Sequence, residues 1–396
     1  MFKFALKNMA IKKIQIILVV LSVVISAGVA ILAYNIASQI DDGISGNAGY
    51  YSLIIGPAGS NTDLAMNSMY FTGNPTETIP YSYMETLYKD TNVKRVIPLA
   101  IGGGTYKNQY KVVGSSADLF AQNEFASGDV FDDTKDCQVI VGYTVAQRNN
   151  LKVGDKIQIG HGTEEHGQDL EVVGILDQTY STNDNIVFTQ VQTLWHLHEH
   201  EGEEHEGEEH AHHSVYAFLV NTKNLTGASV LVNKLNNSVI TDEDGDEYPI
   251  QAIEPMNIVR GVLDDLGDTK YITFVLCGII LAMNILIISI ITLLNMYNSK
   301  KEIALMRLIG ISMKRINLLY IIQNSIIGII STILAFGASR LCLLFMSDYV
   351  QGMGVVLNYG KVYALEFVIL LGVFIITVLP TIICTYSMAR KDSLEQ

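Results

Sequence analysis

The sequence predicts a membrane protein with four transmembrane α-helices and a large α+β domain inserted between the first and second. Three observations predict it. First, Ile14 to Ile40, Tyr271 to Ser299 and Ile316 to Ser339 contain no Asp, Glu, Lys or Arg, and Val362 to Met388 carries Glu366 alone. A helix rises about 1.5 Å per residue, so about 20 such residues cross a hydrocarbon core roughly 30 Å thick. Second, charge is segregated. Residues 39–270 carry 13 Lys and Arg against 35 Asp and Glu, whereas 1–13, 299–315 and 388–396 together hold 11 Lys and Arg against Glu302, Asp392 and Glu395. Third, residues 41–270 break into short β-like runs punctuated by Gly, Asp and Asn.

In chain order, residues 1–13 set Phe2, Phe4, Leu6 and Met9 against Lys3, Lys7, Lys12 and Lys13, the pattern of an amphipathic helix on an anionic leaflet. Residues 14–40 follow as the first transmembrane helix. This apolar run exceeds the 7–15 residues usual for the core of a signal peptide, and its small residues, Ser26 to Ala30, sit mid-run; we read an uncleaved helix. In 41–270, strands are expected at Val93–Ala100, Tyr110–Val113, Gln138–Val141, Lys156–Ile159, Leu170–Leu176, Ile186–Thr189 and Val215–Val220. Helices are expected at Ser82–Lys89 and Thr144–Asn150, with the whole arranged as two lobes. The second and third transmembrane helices, 271–298 and 316–346, flank a short basic segment at 299–315. A Gly-bearing loop at 347–361 leads to the fourth helix, 362–388, and a tail at 389–396. Pro380, deep in that helix, removes one backbone donor and is a candidate hinge. Glu366 and Arg340 fall near helix ends, so no charge is expected inside the bundle.

Lys and Arg near the helix ends orient the chain. They cluster at the N-terminus, at 299–315 and at Arg390 and Lys391, while the 347–361 loop offers only Lys361. Both termini and 299–315 are therefore expected in the cytoplasm, with the acidic domain outside. An acidic domain of this size argues against nucleic acid as a partner. Of the four cysteines only Cys137 lies in the soluble segment, so no disulfide framework is available there.

The segment 299–315 reads as a short amphipathic helix at the water surface, where a soluble partner can push on it. Ile303, Leu305 and Met306 would supply apolar contact, Glu302 and Arg307 charge-assisted bonds, and Gly310 a helix end. Lys300-Lys301-Glu302-Ile303-Ala304-Leu305-Met306-Arg307-Leu308-Ile309-Gly310 resembles the basic-x-Glu-Ile-x-x-x-Arg-x-x-Gly signature of MacB/FtsX/LolC-type ABC transporter permeases. Ala389 to Leu394 is similar to the family's terminal Ala-Arg-x-x-Pro ending, with Ser393 in place of the commoner Pro. Gln138 to Gly142, Leu151 to Asp155 and Val172 to Leu176 resemble the MacB-type periplasmic core.

The resemblance implies a permease subunit in the bacterial inner membrane. A separate cytoplasmic ABC ATPase would drive it through Lys300, Lys301, Glu302, Ile303, Met306, Arg307 and Gly310. It also implies a second copy or related permease as partner, with an extracytoplasmic binding protein as a further candidate. The glycine-rich Ile101 to Lys107 lacks Gly-x-x-x-x-Gly-Lys-Ser/Thr and reads as a strand-end turn, so ATP would act through the partner and no intrinsic cofactor or enzymatic site is expected. Expected cargo is an amphiphile, lipid, peptide or metal-linked compound. The alternatives are a mechanotransmitting subunit that moves no cargo and regulates an extracytoplasmic partner, or a component of zinc uptake.

All nine histidines fall between His161 and His213. His196, His198, His200, His205, His210, His212 and His213 form a His/Glu-rich loop at 196–213, and His161 and His166 could close a site with them. Imidazole and carboxylate suit zinc, copper or nickel, and an extended backbone would put His196, His198 and His200 on one face. The same composition also describes a solvated low-complexity loop. Permeases of this type with such loops resemble members of zinc-linked transport systems.

Overall fold

The computed structural model describes residues 9–47, 50–161, 164–165, 168–199, 213–236, 238–242, 245–298, 300–351 and 356–392. The chain forms two compact units, one of residues 1–39, 266–349 and 357–396, the other of residues 40–265 and 350–356.

The first unit is a helical bundle. It is formed by Lys13–Asn47 up to residue 39, Pro255–Asn298 from residue 266, Met313–Gln351 up to residue 349 and Ala364–Asp392, with the short helix Lys300–Leu308 between the second and third. Windows at Lys13–Gly43, Phe274–Ile291, Met313–Met346 and Ala364–Ile383 have mean hydropathies of 3.0, 2.9, 2.0 and 2.5, enough in length and composition to cross a bilayer. Helices suit that medium because every interior N–H and C=O is paired within the segment. Val19, Val23 and Ala27 pack with Ile288, Ile327, Ala335 and Val373, so one apolar cluster draws on all four helices. The helix expected from 271 begins at Pro255. Proline is pre-shaped for a first helical position, and the Glu254 carboxylate accepts from the Asn257 side chain at 2.6 Å, holding the start.

The second unit is built on one mixed sheet. From one edge the strands run Ser238–Thr241, Glu247–Ile253, Leu53–Pro57, Ala217–Thr222, Val93–Tyr106, Tyr110–Ser115, Val187–Gln190, Gln138–Val141, Leu170–Leu176 and Phe125–Gly128. Neighbours are antiparallel except Tyr110–Ser115 beside Val187–Gln190 and Gln138–Val141 beside Leu170–Leu176, which are parallel. The two expected lobes thus share a continuous hydrogen-bonded sheet. Side chains alternate across it with the period of two that strand geometry imposes. Ile54, Ile140, Phe188 and Leu219 lie on one face with the helix Asn61–Tyr70. Leu53, Ile55, Phe218 and Val220 lie on the other with Leu225–Leu235, and Val139, Val141 and Val187 with Tyr143–Asn149 and Val191–Glu199. Where a strand-end turn was expected, Gly102 (φ 98°) and Gly104 (φ 127°) sit inside Val93–Tyr106. There the register with the next strand shifts between Ile101 and Thr105. Those dihedrals cost glycine little, and the run is a bulge.

Asp90 ties the turn before Val93–Tyr106 to the helix Leu225–Leu235. It accepts from the Asn92 backbone N–H at 3.0 Å and from Lys234 Nζ at 3.0 Å. The backbone donor first, then the ammonium, hold its pKa below the ordinary carboxylate value. A depressed folded-state pKa contributes stability above the unfolded value, lost as pH falls through the folded one. Asp90→Asn is therefore expected to lower the midpoint of denaturant unfolding at pH 7. The gap to wild type should close as pH drops below about 3.9, the ordinary Asp pKa.

Candidate functional site

The helix Lys300–Leu308 and the turn after it form an elbow between the second and third long helices. Ile303, 8% exposed, is buried with Ile316 and Tyr320, and Met306, Ile311 and Met313 close the same cluster. The helix stops at Gly310, whose φ of 89° is one that a side-chain-bearing residue rarely adopts. The Gly310 N–H donates to the Arg307 carbonyl at 2.9 Å and the Ile311 N–H to the Met306 carbonyl at 3.0 Å. That nested pair is a Schellman cap, and the apolar contact it favours is supplied by Met306 and Ile311 against the shared cluster. Ser312 then starts the third helix, its carbonyl accepting from Arg315 at 2.9 Å and Ile316 at 3.2 Å.

Ile303, Leu305 and Met306 do not share a face, as a common docking role would need. Ile303 and Met306, three apart, turn toward the chain's own bundle. The opposite side carries Leu305, Leu308 and Ile309, at 59%, 83% and 79% exposure. Leu308 was not singled out in the sequence, although its i+3 spacing from Leu305 marks it. Arg307 is exposed; Lys300, Lys301 and Glu302 are helical in backbone, and their side chains lie outside the described residues.

From the elbow, Tyr320 reaches a small cavity of about 60 Å³ among the helices, lined by polar Gln15, Gln323, Asn324, Thr377 and Thr381 and by apolar Ile16, Val19, Ile288 and Ile327. Asn324 donates to Thr381, next to Pro380, and the fourth helix continues through that buried proline. Nearer the middle of the bundle, Asn284 donates to the Ser22 carbonyl at 3.2 Å and to Ser26 Oγ, tying the second helix to the first.

At the end of the third helix away from the elbow lies a charged lock. Its Glu366 is 0% exposed, correcting the expectation of a bundle free of internal charge. Arg340 pairs with it through Nη2, while Arg340 Nη1 donates to the Lys361 carbonyl at 2.8 Å. Asn35 of the first helix donates to Glu366 Oε1 at 2.5 Å and to the Lys361 carbonyl at 3.1 Å. Gln39 reaches Asn35 Oδ1 at 2.5 Å and the Asn358 carbonyl at 2.9 Å, and accepts from the Asn358 N–H at 2.6 Å. Glu366 also accepts from the Tyr363 N–H at 3.3 Å, three residues earlier, half of a capping box for the fourth helix. One carboxylate thereby gathers helices one, three and four and their loop.

Of the nine metal candidates, His196 and His213 have described side chains. The helix Val191–Glu199 includes His196 and His198, so the backbone there is helical where the one-face arrangement calls for an extended one. His196 Nδ1 lies 3.8 Å from Asp136 Oδ2, and His213 packs edge-on against Trp195 at 4.8 Å. His161 is on a short strand, its side chain outside the described residues, as are His166, His200, His205, His210 and His212. Among the described residues no three His, Cys, Asp or Glu side chains converge as metal ligands would.

The family model for the MacB-like periplasmic core domain matches residues 14–237, and that for the FtsX-like permease C-terminal region matches residues 273–393. No curated protein matches the chain. Among solved structures, the periplasmic region of MacB from Actinobacillus actinomycetemcomitans is similar at 11% identity and a TM-score of 0.37, covering 54% of this chain and 93% of that one. The extracellular domain of the noncanonic ABC-type transporter YknZ from Gram-positive bacteria is similar at 14% identity and a TM-score of 0.33, covering 51% of this chain and 98% of that one.

Removing one partner of a buried ion pair strands the other charge, at about 3–5 kcal/mol. Glu366→Leu and Arg340→Met are each expected to destabilise the detergent-purified protein on that scale. Their double variant should lose less than the two together by at least about 1 kcal/mol. Unfolding midpoints across the four proteins measure the coupling, and strict additivity would contradict the lock.

Proposed function

The chain belongs to the MacB/FtsX-type ABC transporter permeases, multi-pass proteins of the inner membrane, and we propose that its elbow couples ATP hydrolysis by a separate cytoplasmic ATPase to motion of the second unit. The observation that carries this is the division of the elbow into two faces. One is anchored by Ile303 and Met306, the other presents Leu305, Leu308 and Ile309. Burying apolar surface is worth about 25 cal/mol per Å², so side chains this exposed at a membrane edge favour a covering partner. Lys300, Lys301, Glu302 and Arg307 orient that partner by charge, and Gly310 fixes the angle at which the anchored helix meets the third helix.

Force applied to the exposed face passes through Ile303 to Ile316 and Tyr320 of the third helix. In this reading ATP is hydrolysed by a partner, and residues 1–396 hold no Gly-x-x-x-x-Gly-Lys-Ser/Thr element. The Lys and Arg distribution supports an arrangement with both termini and the elbow in the cytoplasm and residues 41–270 outside. Pairing with a second copy or a related permease is part of this reading and rests on the family membership. Cargo in this reading is an amphiphile, lipid or peptide. Zinc at the 196–213 segment is an accessory proposal resting on its ligand chemistry alone, and Pro380 is a proposed hinge beside the Asn324–Thr381 bond.

Leu308→Asp with Ile309→Asp places two carboxylates on the exposed face without touching Ile303. The expected result is normal membrane insertion, loss of ATPase co-purification and at least about a tenfold fall in permease-dependent ATP hydrolysis, as for charge placed in an interface core. Undiminished association in the double variant would refute the proposal.

A further inference from the structure

The second unit contains a cleft of about 440 Å³, within the range of about 300–1,000 Å³ typical of ligand sites. Its inner wall is apolar, with Met69, Phe71, Phe120 and Leu219 all buried. Phe71 and Phe120 both pack edge-on against Phe188 of the sheet, at 5.8 and 5.2 Å, so the wall is continuous with the core.

The rim has the opposite character. Asp42, Asp118, Glu124 and Asp177 line it, against a single guanidinium among the lining residues, Arg95, which lies 4.0 Å from Asp118. No three of these carboxylates converge as ligands on one ion would, which suits an organic cation better than a metal.

The cleft is a shaped site. Asp184, fully buried behind it, holds the 177–183 loop in place: it accepts from the Thr179 N–H at 3.0 Å, the Thr179 hydroxyl at 2.7 Å and the Tyr180 N–H at 2.8 Å. Tyr180 is thereby fixed at a positive φ of 54° on the cleft wall. The Asp177 N–H, donating to the Glu124 carbonyl at 2.9 Å, joins the two acidic loops. Burial pushes the Tyr51 hydroxyl up to about 12, keeping it a neutral donor at physiological pH. Ser68, another lining residue, is 1% exposed and its hydroxyl has no hydrogen-bond partner. Such groups are costly and are normally satisfied.

We infer that this cleft binds a cationic peptide segment. An apolar side chain lies against Phe71 and Phe120, flanking ammonium groups meet Asp118, Glu124 and Asp177, and Ser68 and Tyr51 line the same cleft. Binding of this kind is independent of the elbow; only the step from occupancy to altered ATP turnover rests on the coupling reading.

Calorimetry on the full-length protein in nanodiscs, without ATPase, separates the two. The probe is acetyl-Lys-Phe-Lys-amide, with acetyl-Gln-Phe-Gln-amide and acetyl-Lys-Gly-Lys-amide as controls. Saturable binding is expected for the first, at least about tenfold weaker binding for each control, and weakening as NaCl rises from about 50 to about 500 mM. Asp118→Asn with Glu124→Gln and Asp177→Asn should cost about tenfold or more. Equal affinity for all three peptides, wild-type affinity in the folded triple variant, or no saturable heat with acetyl-Lys-Phe-Lys-amide would overturn the inference. The wild-type peptide series decides the matter even if a variant fails to fold.

Discussion

Hydrocarbon offers a polar group no hydrogen bond, and the bundle is organised around that constraint. A carboxylate at Glu366 is tolerable there because Arg340, Asn35 and the Tyr363 N–H surround it. Asn284 is tolerable because Ser22 and Ser26 receive its donors. Each pairing joins two helices, so satisfying polar atoms also fixes which helices are neighbours and at what height. Apolar packing through Val23, Ala27 and Ala335 then fills the space between.

This arrangement gives the third helix two attachments of different kinds. Near its start, Ile316 and Tyr320 are packed against Ile303 and Met306 of the elbow in one apolar cluster. Toward its other end, Arg340 is held by charge and several directed bonds. In the proposed coupling, a push on the elbow would reach the third helix through this cluster while Arg340 holds its far end. The lock includes Asn35 and Gln39 of the first helix, whose residues continue in sequence into the second unit. The acidic cleft lies in that unit; under the proposed coupling, a ligand there and the ATPase would influence one another reciprocally.

Much of this was legible in the residues. Charge-free runs of sufficient length announced the spans, because their signal is local. Gln138–Val141 and Leu170–Leu176 were found to the residue, their β-branched runs ending at Gly, Asp or Asn. Leu53–Pro57 was not, since its Gly and Pro disguise a strand whose partners, Ala217–Thr222 and Glu247–Ile253, are remote in sequence. The lock escaped for the same reason. Glu366 and Arg340 each read as a terminal charge, and only tertiary packing brings them together. Ile303 and Leu305 were equally apolar in sequence; which one faces the bundle depends on where Tyr320 lies, and composition does not say. The 196–199 stretch followed the helix begun at Val191, because Leu194 and Leu197 have a core to enter.

Leu308→Cys, in a background with the four native cysteines replaced by serine, tests the central claim most directly. Labelling by a membrane-impermeant maleimide is measured in intact cells and in inverted vesicles, with and without the ATPase. An elbow that receives force from a cytoplasmic partner is labelled only in inverted vesicles and is protected when the ATPase is present. Labelling in intact cells, or labelling in inverted vesicles that the ATPase leaves unchanged, would contradict the account.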